Sequence, residues 1–195
     1  MFRYLIEFVV LKTRIFVSPL FFAVLTLFLL LDKNGLANKV ILFSLLHESA
    51  HFLAMLCCKT VPKVIKINIF GINISLDKNL STAKKCAVLI AGFMANFIFA
   101  IIFFVLKDNT SVYINLFIGI FTAIPMASTD GGSVIQTLLD EYYPENSRRV
   151  FGIISGLFLF FIIIFLIYIA VLFKNYFLII PIVYMLMMAK KASAI

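Results

Sequence analysis

Charged residues are scarce in this sequence. Asp, Glu, Lys and Arg make up 13% of the 195 residues, whereas hydrophobic residues make up 64%. A soluble domain is about half apolar and about a quarter charged. The mean hydropathy of +1.13 points the same way. The composition therefore excludes an ordinary soluble enzyme and indicates an integral membrane protein.

Lys, Arg and Asp are absent from six long stretches. Five of these stretches are 17 to 24 residues long and the sixth has 15. A helix needs about 20 mostly apolar residues to cross a bilayer. We therefore predict an all-α polytopic membrane protein, with a single membrane-embedded domain over residues 1–195. Its six transmembrane helices are predicted at 15–31, 40–58, 86–106, 111–127, 151–173 and 175–189.

The chain offers no typical cleavable signal peptide. Its first 14 residues carry charges through their apolar stretch and lack a small-residue cleavage site. We expect this segment to lie along the membrane as an amphipathic segment that precedes the first helix.

Cysteine is equally scarce. The three cysteines are Cys57, Cys58 and Cys86, and no second pair stands at the spacing of a metal site. All three fall at predicted cytoplasmic helix ends, where thiols stay reduced. We expect small, free side chains rather than a disulfide, although a metal role for the adjacent pair stays open.

The excess of basic residues is unevenly distributed. Thirteen of the 17 Lys and Arg residues fall on the side of the predicted topology that holds the N-terminus. Cytoplasmic loops carry such an excess, so we predict a multi-pass cell-membrane protein whose N-terminus is cytoplasmic. The charge is accounted for by orientation and by contact with the lipid bilayer, and we predict no nucleic-acid partner.

The connection over residues 59–85 has the pattern of two short strands. Ile65, Ile67 and Ile69 alternate with polar residues, and a second alternating run follows Gly71. Period-two alternation around a glycine predicts a short membrane-associated β-hairpin between helices two and three. Its free edge could accept an extended peptide, or the hairpin could be a loop that pairs with nothing further.

Histidine occurs twice in the chain, and both residues lie in the apolar stretch "LLHESAHFLAM". His47 and His51 are four residues apart and therefore share one helix face. Two imidazoles so placed can bind one Zn²⁺, and Glu48 beside them can exchange a proton with water. Ionisable residues inside a membrane are costly and usually functional. The sequence therefore predicts metal ligands His47 and His51 and catalytic Glu48.

Zinc in a hydrolase needs a third protein ligand. Asp130 ends the predicted fourth helix in "FTAIPMASTDGG", where Pro125 breaks the helix and a Gly-Gly pair allows a tight turn. We therefore predict Asp130 as the third ligand. The remaining carboxylates are predicted on the opposite side of the membrane or in watery stretches: Asp32, Asp108, Asp77, Asp140, Glu141, Glu145 and Glu7.

Asn96 is a further polar residue in an apolar stretch. It lies about ten residues into the predicted third helix, at about 15 Å of rise, which matches the depth of the histidines. Its amide could bind a substrate carbonyl or a developing oxyanion. It could equally form a hydrogen bond that packs two helices. Gly92 is expected to permit close helix packing.

Together these motifs resemble the site-2 protease family of intramembrane zinc metalloproteases. The matching pieces are "HESAH" (47–51), "GFMAN" (92–96), "PMASTDGG" (125–132) and the lead into the first helix, "IFVSPLFF" (15–22). Six helices without a periplasmic PDZ insertion are most similar to the stage IV sporulation protein FB branch.

The resemblance implies a zinc metalloendopeptidase that cleaves transmembrane or membrane-proximal segments of other proteins. His47, His51 and Asp130 would bind Zn²⁺, Glu48 would act as general acid and base, and Asn96 would position substrate. In the sporulation branch the substrate is a membrane-tethered sigma-factor precursor. Two alternatives stay open, a membrane zinc-binding or transport protein and an inactive relative that binds substrate helices.

Overall fold

The computed structural model describes residues 6–10, 13–33, 35–60, 62, 64–68, 71–75, 80–126 and 129–174. The chain divides into two compact units, Met1–Gly119 and Ile120–Ile195. The helices are α1 Pro19–Leu31, α2 Leu36–Cys57, α3 Thr82–Val105, α4 Asn109–Ala123, α5 Asp130–Tyr142 and α6 Ser147–Leu172. The strands are β1 Ile6–Val10, β2 Thr13–Val17, β3 Val64–Asn68 and β4 Gly71–Ser75. The single membrane-embedded domain stays a prediction.

Three helices in the described part of the chain are long and apolar enough to cross a bilayer: α2, α3 and α6. They agree with the predicted second, third and fifth spans. Six spans are not confirmed, because α1 has 13 residues and α4 has 15, fewer than the ~20 that a span needs. The sixth predicted helix, 175–189, lies outside the described residues.

The first predicted helix begins later than expected. Residues 13–17 form β2, and α1 begins at Pro19 after the extended Ser18. Proline is favoured in the first helical turn, where its missing N–H would have no partner in any case. The prediction of a helix from residue 15 was therefore wrong. Apolar composition alone did not distinguish a strand from a helix there.

The strands form one four-stranded sheet in the order β1-β2-β3-β4. β3 and β4 pair antiparallel, which confirms the predicted hairpin. β3 also pairs in parallel with β2, and β2 pairs antiparallel with β1. The alternative of a hairpin that pairs with nothing further was therefore wrong. The predicted amphipathic segment contains the strand Ile6–Val10, and its position along the membrane stays a prediction.

The first unit is organised around the contact between α2 and α3. From Phe43 onward the buried residues of α2 recur at every fourth position, and those of α3 have the same spacing. They are Phe43, His47, His51 and Met55 on α2 and Val88, Gly92, Asn96 and Ala100 on α3. Polar side chains thus occupy the centre of this helix pair.

The outer faces of the same helices are apolar. Leu45 and Leu53 of α2 and Ile101 and Phe104 of α3 are exposed. In α6 the buried residues are Ser147 and Ala170, and much of the remaining helix exposes apolar side chains. Soluble monomers rarely expose apolar surface on this scale. A polar interior and an apolar exterior are the distribution of a membrane protein.

The second unit contains α5 and α6, which contact each other. α5 ends at Tyr142, shortly before Pro144. α4 ends at Ala123, which agrees with the predicted break at Pro125. The three cysteines are free, which confirms the predicted absence of a disulfide.

Candidate metal centre

His47 and His51 lie on one face of α2, one helical turn apart. Both are buried, with 5% and 6% of their surfaces exposed. Their Nε2 atoms lie 3.2 Å apart. The prediction that the two imidazoles share one face is therefore confirmed, and the same ring nitrogen of each points to a common place.

The other nitrogen of each ring is held by an oxygen atom. Nδ1 of His51 lies 2.7 Å from the backbone carbonyl oxygen of Val88. Nδ1 of His47 lies 2.6 Å from Oδ1 of Asn96. Each oxygen accepts a hydrogen bond, so each Nδ1 carries a proton. Nε2 is then the nitrogen of each ring whose lone pair can bind a metal.

The spacing of the two Nε2 atoms suits a single zinc ion. Zn–N bonds of about 2.0–2.1 Å in tetrahedral geometry place two nitrogen ligands about 3.3 Å apart. The observed separation is 3.2 Å. Two lone pairs at this distance repel each other unless a proton or a metal ion lies between them. The residues present therefore fit a zinc ion.

Gly92 of α3 provides the space that these rings occupy. A Cβ atom on Gly92 would lie 2.5 Å from Cε1 of His51 and 2.7 Å from Cε1 of His47. Both distances are far inside van der Waals contact. We expected Gly92 to permit close helix packing, and the groups that it admits are the two imidazole rings.

Asn96 is fully buried and lies at the depth of the histidines, as its position in the sequence predicts. Its Oδ1 accepts from His47 and its Nδ2 donates to Oδ1 of Asn115 on α4, at 3.1 Å. The alternative of a hydrogen bond between helices agrees with the second contact. Binding of substrate by Asn96 stays a prediction.

Asn115 is a buried polar residue that sequence reasoning missed. It lies in "SVYINLFIGIFTA" and has no exposed surface. The signal was available, because an amide in an apolar helix was the feature that identified Asn96. It was overlooked because Asn115 belongs to no motif with a known metal chemistry.

Glu48 follows His47 directly on α2 and is half-buried. Consecutive helix residues are about 100° apart around the axis, so its side chain leaves the helix beside the histidine face. Its catalytic role stays a prediction.

Asp130 belongs to the second unit and is the first residue of α5. We predicted that it ends helix four, which was wrong, because α4 ends at Ala123 and Asp130 begins a separate helix. Oγ1 of the preceding Thr129 accepts from the backbone N–H of Gly132 at 3.2 Å and caps the helix. A carboxylate in the first turn is favoured by the helix dipole.

The Gly-Gly pair after Asp130 lies within the first turn of α5, so the predicted tight turn was wrong. A Cβ on Gly131 would overlap the carbonyl group of Ala123, and one on Gly132 would overlap that of Met126. The two glycines therefore let the start of α5 lie directly against the preceding backbone. The position of Asp130, the residue before these glycines, is therefore set by the contact between the two backbone segments.

The fold is similar to that of a solved protease. The structure of a site-2 protease from Methanocaldococcus jannaschii matches with a TM-score of 0.67 at 20% sequence identity, covering 96% of this chain and 94% of that one. No protein-family model and no curated protein matches the sequence. The resemblance that the motifs predict is confirmed at the level of the fold, and this chain has the fold of a site-2 protease.

Proposed function

We propose that this chain is an intramembrane zinc metalloendopeptidase. The observation that carries the proposal is the pair of buried Nε2 atoms, 3.2 Å apart, on a helix long enough to span a membrane. Ionisable side chains at such a position mark a functional site. The fold similarity to a site-2 protease supports the same reaction class.

We assign His47, His51 and Asp130 as the ligands. Two imidazoles and a carboxylate are a donor set that could hold a metal ion, and three protein ligands leave a catalytic zinc one open position. When bound, zinc would polarise the scissile carbonyl and lower the pKa of water at the site.

Glu48 is assigned as general acid and base. Its carboxylate would accept a proton from the attacking water and deliver it to the leaving amine. The Nδ1 protons of His47 and His51 are hydrogen-bonded to oxygen atoms of Asn96 and Val88, so neither ring needs to exchange a proton during the reaction. Glu48 is then the titratable side chain beside the pair on α2 that is left for proton transfer.

The substrate would be a transmembrane or membrane-proximal segment of another protein. A helical segment hides its carbonyl groups in hydrogen bonds, so it must unwind before it is cut. β4 ends the described sheet and pairs there with β3, and its other edge could hold the unwound segment as an added strand. The resemblance assigns substrate contact to Asn96, whereas its observed hydrogen bonds support a role in holding His47.

We place the N-terminus and the active-site side in the cytoplasm, on the strength of the positive-inside charge bias. A sporulation-type role, with a membrane-tethered sigma-factor precursor as substrate, is a narrower hypothesis that rests on the motif resemblance alone. The protease assignment does not depend on it.

Zinc transport is the rival that the described residues disfavour. A transport path needs polar groups that can bind the ion on both sides of the site. Among the described residues, the polar side chains buried most deeply are Asn96, Asn115 and Ser111, each with 0–1% of its surface exposed. The two amides bond each other and the backbone of Ser111, and the Ser111 hydroxyl bonds Asp108. The carboxylate of Asp108 is itself paired with Lys39, so these groups are engaged in bonds within the protein.

The test compares wild type with Glu48→Gln and a matched control, Ser49→Ala. Ser49 is exposed, and its hydroxyl bonds the backbone of Leu45 in the same helix. Each variant is co-expressed with a panel of tagged single-span membrane proteins, and bound zinc is measured on the purified protein. Wild type and Ser49→Ala should cut at least one panel member, and Glu48→Gln should retain zinc without cutting.

Cutting by Glu48→Gln at the wild-type rate would remove Glu48 from the mechanism. Zinc entry into proteoliposomes, with no cleavage of any panel member, would favour the transporter instead.

A further inference from the structure

We propose that Asn115 is a positioning residue for the metal centre. Through Asn96 it fixes the ring of His47 with the proton on Nδ1 and the lone pair on Nε2. The proposal rests on the proposed function for the identity of the metal. Its central claim, the state of the His47 ring, can be tested without metal or substrate.

The orientation of the Asn115 amide is set by a backbone group. Nδ2 of Asn115 donates to the backbone carbonyl oxygen of Ser111, one turn earlier in α4, at 2.9 Å. A carbonyl oxygen can only accept, so the amide nitrogen must face it. Oδ1 of Asn115 is thereby turned toward α3.

The same logic passes to Asn96 and then to His47. Because Oδ1 of Asn115 faces α3, the group of Asn96 that meets it at 3.1 Å must be the donor Nδ2. Oδ1 of Asn96 then faces His47 Nδ1 at 2.6 Å and requires a proton there. A neutral imidazole carries one ring proton, so Nε2 of His47 is left as a metal ligand.

Because the two asparagines are buried, the hydrogen bonds from Ser111 through Asn115 to Asn96 determine how both amides are oriented. Asn96 and Asn115 both have no exposed surface. The neighbouring helices approach closely here, since a Cβ on Gly119 would lie 3.3 Å from Cβ of Asn96. Water cannot replace a missing partner in so small a space.

Loss of the Asn115 amide would release this constraint. The amide of Asn96 could then rotate and offer Nδ2 to His47, whose Nδ1 would have to accept. The ring proton would move to Nε2, the atom that faces His51 at 3.2 Å. His51 would be unaffected, because the backbone oxygen of Val88 holds its Nδ1.

Nitrogen-15 NMR of the imidazole rings tests the claim directly. The chain has two histidines, so the full-length protein with ¹⁵N-histidine, a histidine-free tag and no metal gives two ring systems in detergent. Wild type should show a proton on Nδ1 of both rings, and without metal any further proton should lie between the two Nε2 atoms, which are 3.2 Å apart. In Asn115→Leu the proton of His47 should move to Nε2, while His51 stays as in wild type and serves as an internal control.

Zinc affinity gives the second measurement, by competition with a chelator. Asn115→Leu should bind zinc about 10–100-fold more weakly than wild type, the usual loss when an outer-shell partner of a ligand is removed. The matched control is Ser111→Ala, which removes a hydroxyl bonded to Asp108 and keeps the carbonyl oxygen that holds Asn115. Its zinc affinity and ring protonation should equal those of wild type.

Asn115→Asp guards against a variant that merely fails to fold. A carboxyl group at this fully buried position should be neutral, because burial disfavours its charged form. It can then accept from Asn96 and donate to Ser111, so this variant, assayed at the same pH as wild type, should keep the wild-type ring pattern. An unchanged His47 ring in folded Asn115→Leu would overturn the proposal. Equal losses of zinc affinity in Asn115→Leu and Ser111→Ala would also overturn it. Absence of zinc binding by wild type would reject the proposed function, while the ring measurement would still decide the role of Asn115.

Discussion

Gly92 and His51 are in contact across the α2–α3 interface, and the ring of His51 occupies the place where any other residue would carry its side chain. A Cβ on Gly92 would lie 2.5 Å from Cε1 of that ring. The histidines can therefore be buried in the helix pair only because α3 has no side chain at this position. The position of the two imidazole rings is set as much by α3 as by the helix that carries them.

Gly92→Ala should abolish or strongly weaken zinc binding. The added methyl group would force both rings away from α3 and break the Nδ1 hydrogen bonds to Asn96 and Val88. We expect at least a tenfold loss of affinity, which corresponds to about 1.4 kcal/mol. Gly156→Ala is the control, since a Cβ there meets nothing within 4 Å. Equal zinc affinity in the two variants would show that the rings are not seated against Gly92.

Asp130→Ala should lower bound zinc sharply if Asp130 is the third ligand. Asp140→Ala is the matched control, because Asp140 lies on the same helix, is exposed and bonds Gln136. Zinc content per mole of purified protein is the measurement. Full zinc occupancy in Asp130→Ala, after dialysis against a weak chelator, would mean that another group is the third ligand.

The helix face that carries the two histidines was predictable because it depends on local geometry alone. The i, i+4 spacing of His47 and His51 fixes their common face in any helix, and the apolar setting made their polarity conspicuous. The hairpin was predictable for the same reason, since the alternation of residues 64–75 encodes two strands and their turn.

Features that depend on distant parts of the chain were not predictable in this way. The parallel pairing of β2 with β3 joins segments about 50 residues apart. The residue pattern of a strand predicts that it is a strand but does not indicate which other strand it pairs with. The role of Gly92 likewise became visible only when two helices were placed side by side. The start of α5 was misjudged because a Gly-Gly pair reads as a turn until the backbone that it lies against is known.

Thr129→Ala should loosen the start of α5. The Thr129 hydroxyl contacts the carbonyl oxygens of Ile124 and Met126 and accepts from the N–H of Gly132. Loss of a threonine cap costs about 0.5–2 kcal/mol. We expect faster hydrogen exchange at the first amides of α5, measured by mass spectrometry in detergent.

Thr137→Ala is the control for that change. Thr137 lies in the interior of α5, where its hydroxyl bonds the backbone of Ser133 and where alanine is a better helix former. Exchange at the start of α5 should match wild type. Equal acceleration in both variants would attribute the effect to general loosening of the helix rather than to the cap.

The ion pair between Lys39 and Asp108 gives the protein a pH-dependent contribution to its stability. Lys39 Nζ lies 2.7 Å from Asp108 Oδ2, and the hydroxyl of Ser111 donates to the same oxygen. These hydrogen bonds, that from Lys39 first, lower the pKa of Asp108 from 3.8 to about 2. A carboxylate with a depressed pKa stabilises the fold above its unfolded pKa, and the contribution is lost as pH falls through the folded value.

Asp108→Asn should therefore melt at a lower temperature than wild type above about pH 4, with the gap closing as the pH approaches 2. Other carboxylates titrate in both proteins and cancel from the difference. In a Lys39→Met background, Asp108→Asn should lower the melting temperature by less, because the main cause of the lowered Asp108 pKa is gone. The thermal unfolding of all variants is measured in one detergent. The contribution will be small, since the two side chains are 38% and 35% exposed and water screens the pair. A difference in melting temperature that is constant from pH 2 to pH 6 would show that Asp108 acts through packing or its hydrogen bonds to Ser111, and not through its charge.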